Sequence, residues 1–221
     1  MIRLLPESSG RSLRLLCIGA HSDDLEIACG GTLLTWLAER PLEVTWVVLS
    51  GDGERGREAR ASAEALLQEA RSLRIVLGSF RDSYFPAQYG DVKAFFEQVK
   101  RDVSGAGNEP DIVLTHRLED RHQDHRLAAE LTWNAWRDHL VLEYEIPKYE
   151  GDLGQPNAYV HVPAALAQRK VDHLERHFGS QRSKAWFAAE NFLGLMRLRG
   201  VECRAPSGFA EAFHARKVVL S

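Results

Sequence analysis

The stretch Leu13-Arg14-Leu15-Leu16-Cys17-Ile18-Gly19-Ala20-His21-Ser22-Asp23-Asp24 decides the fold. Its apolar run, Leu13–Ala20, predicts a buried strand, because short continuous apolar runs form the interior strands of parallel sheets. One imidazole and two carboxylates follow the run directly, in His21, Asp23 and Asp24. The strand therefore carries three chemically reactive side chains to one point at the edge of a sheet.

Outward from this stretch, strand patterns alternate with helical patterns. Strands are predicted at Leu13–Ala20, Val44–Leu49, Arg74–Phe80, Asp111–Thr115 and Val141–Ile146. Helices are predicted between them at Leu25–Glu39, Arg57–Leu73, Val92–Val103 and Gln123–His139. This alternation is typical of an α/β fold, here a Rossmann-like, doubly wound and mostly parallel sheet.

The alternation ends after Pro147. Lys148–Asn157 is rich in Gly, Asp and Pro and predicts a surface loop, and Tyr159–Val162 predicts a short strand. Helical patterns follow at Ala164–His177 and Ser183–Arg199. We expect a C-terminal appendage of helices and a short strand that closes one side of the sheet.

Length and composition predict a single domain over residues 1–221. Hydrophobic residues make up 44% of the chain and charged residues 27%, and no apolar run is long enough for a membrane span. A net charge of −3 argues against a general nucleic-acid surface, because phosphate binding needs an excess of Lys and Arg. The composition leaves oligomeric state open, a homo-oligomer included.

The cysteines and the start of the chain predict a cytoplasmic protein. Cys17, Cys29 and Cys203 have no paired spacing, and Cys29 lies in an apolar context that favours a packed thiol over a metal ligand. Met1–Glu7 turns polar too soon for a secretory signal.

A second cluster, His122-Gln123-Asp124-His125, follows the predicted strand Asp111–Thr115. In a doubly wound sheet of order 3-2-1-4-5, strands 1 and 4 are neighbours, and ligands bind beyond their carboxyl ends. His21–Asp24 follows strand 1 and the second cluster follows strand 4, so the two are expected to face each other.

Together the clusters contain the parts of a hydrolytic metal site. A catalytic zinc typically takes three protein ligands and keeps one position for water, and His21, Asp24 and His125 supply such a set. Asp23 can accept the proton of that water, and His122 remains as a second acid or polarising group. Two histidines and one carboxylate suit Zn²⁺, and also Fe²⁺. An Asp before a helix is commonly an N-cap, but the pairing of the two clusters favours a metal site.

These residues also resemble a known family. Ala20-His21-Ser22-Asp23-Asp24 resembles the Ala-His-Pro-Asp-Asp signature of the PIG-L/LmbE-like zinc N-deacetylases, and His122–His125 resembles their His-x-Asp-His signature. Two positions depart from the family pattern: Ser22 replaces the usual Pro, and Arg60 stands where relatives often carry an acid. Weaker similarity lies in Gly30-Gly31, Arg57-Glu58-Ala59 and Ala210–Phe213.

The resemblance implies roles for individual residues. It implies zinc ligation by His21, Asp24 and His125. It implies that Asp23 is the general base and that His122 stabilises the oxyanion and protonates the leaving amine. It also implies that Asp124 orients the site. The expected reaction is removal of an N-acetyl group from an amino sugar or a related small metabolite.

Several interpretations stay open. Arg57 either holds a substrate hydroxyl or anionic group or is an exposed arginine at a helix start. Gly30 and Gly31 indicate close packing of a helix on the sheet, or close approach of substrate. The alternative functions are a metal-dependent esterase or other amidohydrolase, and a non-catalytic metal-binding or ligand-binding protein.

Overall fold

The structure is a computed structural model that describes residues 10–105 and 109–219. The prediction made on Met1–Glu7 lies outside these residues. The described strands are β1 Leu13–Gly19, β2 Leu42–Val48, β3 Ser72–Leu77, β4 Ile112–Thr115, β5 Leu140–Tyr144, β6 Ala158–His161 and β7 Ala210–Ala215. The described helices are α1 Asp24–Glu39, α2 Gly53–Leu66, α3 Tyr89–Val103, α4 Gln123–Ala135, α5 Ala164–His177 and α6 Ala189–Glu202, with short 3₁₀ turns at Phe85–Gln88 and Gly179–Gln181.

Within the described residues, seven strands form one sheet in the order β3-β2-β1-β4-β5-β7-β6. Strands β1 to β5 are parallel, and β1 lies between β2 and β4. The predicted α/β class and the predicted order 3-2-1-4-5 are therefore confirmed. The carboxyl ends of β1 and β4 are neighbours, which is the crevice expected to hold the site.

Helices cover both faces of this sheet. Alternate residues of β1 serve different cores: Leu15 and Cys17 pack with α1, α2 and α5, whereas Leu16 and Ile18 pack with α3 and α4. Because successive side chains of a strand point to opposite faces, a strand buried on both sides must be apolar throughout. This explains why β1 reads as an unbroken apolar run. No helix of the described chain is long and apolar enough to cross a membrane.

The C-terminal appendage differs from its prediction in two ways. It extends the sheet, because β7 Ala210–Ala215 pairs antiparallel with both β5 and β6. This strand was not predicted, since it contains Glu211 and His214 and owes its pairing to distant segments. Helix α6 begins at Ala189 rather than at Ser183, and the loop before it is held by hydrogen bonds from Asn191 Nδ2 to the carbonyls of Trp186 and Pro147.

Helix α1 is broken where the glycine pair follows Cys29, whose backbone (φ −136°, ψ 15°) is not helical. The carboxylate of Glu211 accepts hydrogen bonds from the amides of Gly31 (2.9 Å) and Thr32 (2.6 Å), as an N-cap would. Lys170 Nζ donates to the carbonyl of Ile27 and to Glu211 Oε1, both at 2.6 Å. The glycines therefore serve close packing against the appendage.

Gly31→Ala is expected to lower the free energy of unfolding by about 1–3 kcal/mol, the usual cost of overpacking. A Cβ at Gly31 would lie 3.0 Å from Glu211 Oε1 and 3.1 Å from both methyl groups of Val162. The matched control is Gly194→Ala in α6, where no atom lies within 4 Å of the added Cβ. That control is expected to stabilise the protein by up to about 1 kcal/mol. Urea unfolding measures both, and equal effects would contradict the packing role of Gly31.

Candidate metal centre

The structure brings the two predicted clusters together at the carboxyl ends of β1 and β4. His21 lies between β1 and α1, Asp24 is the first residue of α1, and His125 lies in the first turn of α4. His21 Nδ1 and His125 Nε2 are 3.2 Å apart although 104 positions separate them in the chain. This meeting is what the strand order predicts.

The three predicted ligands form a compact triangle that fits a small divalent ion. Asp24 Oδ2 lies 3.4 Å from His21 Nδ1 and 3.6 Å from His125 Nε2. Ligands bound tetrahedrally at about 2.0–2.1 Å lie about 3.3–3.4 Å from one another, so the observed distances match that spacing. All three side chains are buried. Two imidazoles and one carboxylate are a donor set that zinc and ferrous iron both accept.

Carboxylates hold the outer nitrogens of both imidazoles. Asp124 Oδ2 lies 3.2 Å from His21 Nε2, and Asp120 Oδ2 lies 2.8 Å from His125 Nδ1. Such partners fix the orientation and tautomer of histidines that bind metals. The implied orienting role of Asp124 thus has a direct contact to support it. Asp120 was not predicted, although its place five residues before His125 and in the same cluster was a usable signal.

Asp124 also organises the loop after β3. Its Oδ2 accepts the amide of Ser83 (2.6 Å), and its Oδ1 accepts the amide of Phe85 (3.0 Å). This loop carries Asp82, whose Oδ1 lies 3.2 Å from His21 Nε2. Hydrogen bonding to His21 holds the pKa of Asp82 well below its usual range. Asp124 therefore places a second carboxylate beside the same imidazole.

Neighbouring carboxylates and burial shift the pKa values of His21 and His125 in opposite directions. Burial disfavours the charged form of His21, but Asp24, Asp124 and Asp82 outweigh it and raise the pKa of His21 to about 10. Burial, followed by the charge of His116, lowers the pKa of His125 well below its usual range. An ion bound here takes the place of the His21 proton, since metal ligands must be deprotonated.

Asp23 occupies the N-cap position of α1 without acting as a cap. Its side chain makes no capping hydrogen bond. Oδ1 accepts a hydrogen bond from Arg55 Nη2 (3.2 Å), and the buried Oδ2 has no partner among residues 10–105 and 109–219. A buried carboxylate oxygen without a partner is costly unless a ligand or water meets it. The N-cap interpretation therefore does not explain Asp23.

His122 lies at the N-cap of α4 and is half-buried. Its Nδ1 accepts the amide of Asp124 (3.3 Å), which assigns the proton of the neutral ring to Nε2. Burial, followed by the charge of His21, lowers the pKa of His122, so the neutral ring dominates. Its ring centroid lies 4.9 Å from that of His21 and 4.5 Å from that of His125. His122 can therefore present an N–H donor beside the triangle.

The arginine that contacts the carboxylates of the site is Arg55, which was not predicted, and the substrate contact predicted for Arg57 stays a prediction. Arg55 donates from Nε to Ser22 Oγ (2.9 Å) and from Nη1 to Asp82 Oδ2 (2.8 Å). Arg57 is exposed, and no hydrogen bond or ion pair of its side chain is found in the described parts of the chain. Helix α2 begins at Gly53, four residues before the predicted start, so its first turn brings Arg55 to the crevice. Ser22, the position that departs from the family signature, supplies the hydroxyl that Arg55 uses.

His116 lies against the triangle but its lone pair is already used. Its Nε2 accepts the amide of Ala20 (2.9 Å) and lies 3.2 Å from Asp24 Oδ2. Its ring stacks on that of His125 with centroids 4.0 Å apart. His116 therefore supports the crevice through its hydrogen bond to Ala20 and its stacking on His125.

Lys148, in the loop after β5, completes the contacts of Asp24. Its Nζ donates to Asp24 Oδ1 (3.0 Å), whereas Oδ2 accepts the amide of His21 (2.7 Å) and lies in the triangle. Burial opposes the charge of Lys148, but Asp24 and Asp23 raise its pKa above the usual value. The sequence gives no local signal for this lysine, because only the fold of the loop brings it to the site.

Glu26, one turn after Asp23, is buried and accepts a hydrogen bond from Ser62 Oγ at 2.5 Å. Ser62 Oγ also lies 2.7 Å from His173 Nε2. Burial is the largest cause that raises the pKa of Glu26, to about 8, against the lowering effect of Ser62. Between its unfolded value near 4.5 and about 8, the folded protein holds more protons than the unfolded chain. Glu26 therefore lowers the free energy of unfolding as pH rises through this window.

Glu26→Gln is expected to raise the free energy of unfolding by about 2–4 kcal/mol at pH 8.5 and to change it little at pH 5. The amide oxygen of Gln still accepts from Ser62, while the buried charge is lost. Urea unfolding across this pH range measures the difference. Exposed Glu69→Gln is the control. A gain in Glu26→Gln that does not depend on pH would contradict the assignment.

Comparison with known proteins decides the family. The family model described as "PIG-L: GlcNAc-PI de-N-acetylase" matches residues 16–136, more than half of the chain. The chain belongs to the PIG-L family. The resemblance found in the two signatures is thus confirmed, and both signatures lie inside the matched segment. The chain is also 28% identical over 181 residues to "Uncharacterized deacetylase YaiS" of Escherichia coli (strain K12), covering 78% of this chain and 95% of that protein.

Solved structures share the fold of this PIG-L chain. The N,N'-diacetylchitobiose deacetylase of Pyrococcus horikoshii matches with a TM-score of 0.64 at 18% identity, over 91% of this chain and 82% of that one. GalB, the 4-carboxy-2-hydroxymuconate hydratase of Pseudomonas putida KT2440, matches with a TM-score of 0.69 at 17% identity, over 95% and 98%. Proteins named for deacetylation and for hydration thus share this fold, so the fold alone does not select the reaction.

Proposed function

We propose that this PIG-L protein is a zinc-dependent N-deacetylase that hydrolyses the acetamido group of an amino sugar or a related small metabolite. The observation that carries the proposal is the triangle of His21, Asp24 and His125 beside the unpartnered carboxylate oxygen of Asp23. A binding protein needs the triangle alone, whereas hydrolysis also needs a base that does not hold the ion. Family membership and the deacetylase names among the relatives support the same reaction.

His21, Asp24 and His125 would hold the ion. Bound there, Zn²⁺ or Fe²⁺ supplies Lewis acidity, which lowers the pKa of water and polarises a carbonyl. Asp120 and Asp124 keep the two imidazoles oriented for this binding. Lys148 occupies Oδ1 of Asp24 and so directs Oδ2 toward the imidazoles.

Asp23 acts as the general base in this proposal. Oδ2 takes the proton of the attacking water while Arg55 holds Oδ1 in place. The water oxygen bonds to the acetyl carbon, and the carbon–nitrogen bond then breaks. Asp23 returns its proton to the departing nitrogen, and the second proton of the attacking water also passes to that nitrogen, so the products are an ammonium group and acetate. The proton count closes without a further reactant.

His122 stabilises the developing negative charge on the acetyl oxygen. Its Nδ1 is occupied by the amide of Asp124, so Nε2–H is the donor available to that oxygen. The amide of Asp124 fixes the tautomer, so the N–H is in place before the negative charge develops. The family resemblance also implies that this histidine protonates the leaving amine, a step that the neutral ring cannot perform and that this proposal gives to Asp23.

The remaining assignments complete the proposal. The chain acts as a single domain over residues 1–221, and a small N-acetylated molecule is its partner. The cysteines Cys17, Cys29 and Cys203 are free and buried, which supports a reducing compartment such as the cytoplasm. Arg57, whose side chain is exposed, remains a proposed substrate contact.

An acetate-release assay with purified, zinc-loaded protein tests the proposal. We expect one zinc per chain and acetate release from N-acetylated amino sugars. Acetate release from p-nitrophenyl acetate but from no N-acetylated sugar would show that the protein is an esterase rather than a deacetylase. Bound zinc without turnover of any amide or ester would favour a non-catalytic binding protein. Absence of zinc after reconstitution would overturn the metal centre.

A further inference from the structure

The entrance of the metal centre carries three cationic side chains, Arg55, Lys148 and Lys184, which we name the cationic rim. The two lysines lie over one indole: Lys148 Nζ is 5.0 Å and Lys184 Nζ is 5.7 Å from the ring centroid of Trp186. Lys148 in turn lies 3.0 Å from Asp24 Oδ1. The chain of contacts therefore runs from the predicted metal ligand to Lys184.

Lys184 differs from the other members of the cationic rim. Arg55 pairs with Asp23 and Asp82, and Lys148 pairs with Asp24. Within the described residues, 10–105 and 109–219, no carboxylate lies within ion-pair distance of Lys184. The side chain of Lys184 is exposed. Its charge is thus available to a group that arrives from solvent.

The backbone holds Lys184 in this position. Its amide donates to the carbonyl of Gln181 (2.9 Å), and the carbonyl of Trp186 accepts from Asn191 Nδ2 (2.9 Å). Trp186 itself is buried, so its indole serves as a support for the two ammonium groups and offers little face to a sugar. A cation is attracted to the face of a tryptophan ring, and this attraction biases where Lys184 points.

The charges of the occupied site would not repel an anion. A divalent ion and the three cations of the rim carry together as many positive charges as the surrounding carboxylates carry negative ones, namely Asp23, Asp24, Asp82, Asp120 and Asp124. Asp24, Asp120 and Asp124 contact imidazoles, and the partly exposed Asp82 is paired with Arg55, whereas Lys184 is exposed and has no ion-pair partner in the described residues. An arriving anion therefore finds in Lys184 a positive charge that no carboxylate pairs with.

We propose that the cationic rim, through Lys184, selects a substrate that carries an anionic group, a phosphate or a carboxylate, beside its acetamido group. This inference rests on the proposed deacetylase function and names the class of its substrate. Lys184 is a specificity-determining residue, and it takes no part in proton transfer. A partly exposed ammonium attracts a phosphate or carboxylate in water by an interaction that salt weakens.

The test compares neutral and anionic substrates in the zinc-loaded protein. N-acetylglucosamine is the neutral substrate, N-acetylglucosamine 6-phosphate carries a phosphate, and N-acetylglucosaminuronic acid carries a carboxylate. We expect kcat/KM to be higher for one of the anionic compounds, and the compound preferred identifies the anionic group. In Lys184→Gln this preference is expected to fall about tenfold, mostly through KM, and Lys184→Arg is expected to restore it.

Lys217→Gln is the matched control. Lys217 Nζ also lies over a tryptophan, 5.1 Å from the ring centroid of Trp133, and donates to the carbonyl of Arg137. Neither contact involves the metal centre, so the preference between substrates is expected to stay as in the wild type. The preference of the wild type is also expected to shrink as sodium chloride is raised.

The outcomes separate this inference from the proposed function. Acetate release from the neutral sugar with no preference for either anion, or an unchanged preference in Lys184→Gln, would overturn the cationic rim and leave the deacetylase standing. If no compound releases acetate, the binding of N-acetylglucosamine 6-phosphate, measured by calorimetry, still tests whether the cationic rim binds an anionic group. Weaker binding in Lys184→Gln than in Lys217→Gln supports the rim, and equal binding overturns it.

Discussion

Asp23→Asn is expected to bind zinc at the wild-type stoichiometry and to release acetate about 10²- to 10⁴-fold more slowly, the usual contribution of a general base. Asn keeps the size of the side chain and an oxygen for the Arg55 hydrogen bond, but it cannot take a proton from water. None of the three predicted ligands is altered. Elemental analysis and initial rates at saturating substrate measure the two effects separately.

The control for this variant is Asp91→Asn. Asp91 is exposed and lies in the first turn of α3, so it undergoes the same chemical change away from the crevice. Its rate and zinc content should equal those of the wild type. An Asp23→Asn protein with more than a tenth of wild-type activity would assign the base to another group. Loss of zinc in that variant would instead place Asp23 among the ligands.

His125→Ala is expected to lose both zinc and activity. The substitution removes one corner of the ligand triangle and leaves His21 and Asp24, which bind an ion far less tightly than three ligands do. It also leaves Asp120 Oδ2 without its imidazole partner. We expect zinc content below a tenth of the wild type after gel filtration, and acetate release indistinguishable from the background without enzyme.

His139→Ala separates this effect from the general cost of removing an imidazole. His139 Nε2 lies 3.1 Å from Glu109 Oε2, and neither residue contacts the metal centre. Its zinc content and activity should be unchanged. Retention of stoichiometric zinc by His125→Ala would show that the two clusters do not share one ion. In that case Asp24 and the neighbouring His116 would be the residues to vary next.

The two variants together distinguish binding from chemistry. Asp23 and His125 lie in the same buried crevice, yet only His125 belongs to the triangle. A protein that merely binds metal would lose nothing measurable from Asp23→Asn. A hydrolase would lose turnover in both variants and zinc in only one. This pattern is the clearest outcome expected of the proposed mechanism.

Local sequence patterns determined most of the sheet and the meeting of the two clusters. The apolar run of β1 predicts a strand covered on both faces, and the alternation of elements predicts the order in which β1 and β4 are neighbours. Side chains that directly follow those two strands then have to meet. For this reason the sequence predicts that His21, Asp24 and His125 lie together, as they do in the structure.

The residues that surround the triangle could not be predicted from the sequence, because they come from segments that only the folded chain brings together. Arg55 reaches the site because helix α2 begins at Gly53, earlier than the sequence pattern predicts. Lys148 reaches Asp24 because of the path of the loop after β5. Strand β7 carries Glu211 and His214, so its own pattern is weak, and its pairing with β5 and β6 provides the stability that its sequence lacks. Apolar periodicity is a local property of the chain, whereas the pairing of charged side chains depends on distances between distant segments. Local patterns are therefore enough to predict the sheet and the ligand triangle, whereas the hydrogen-bond and charge partners around the triangle follow only from the three-dimensional packing.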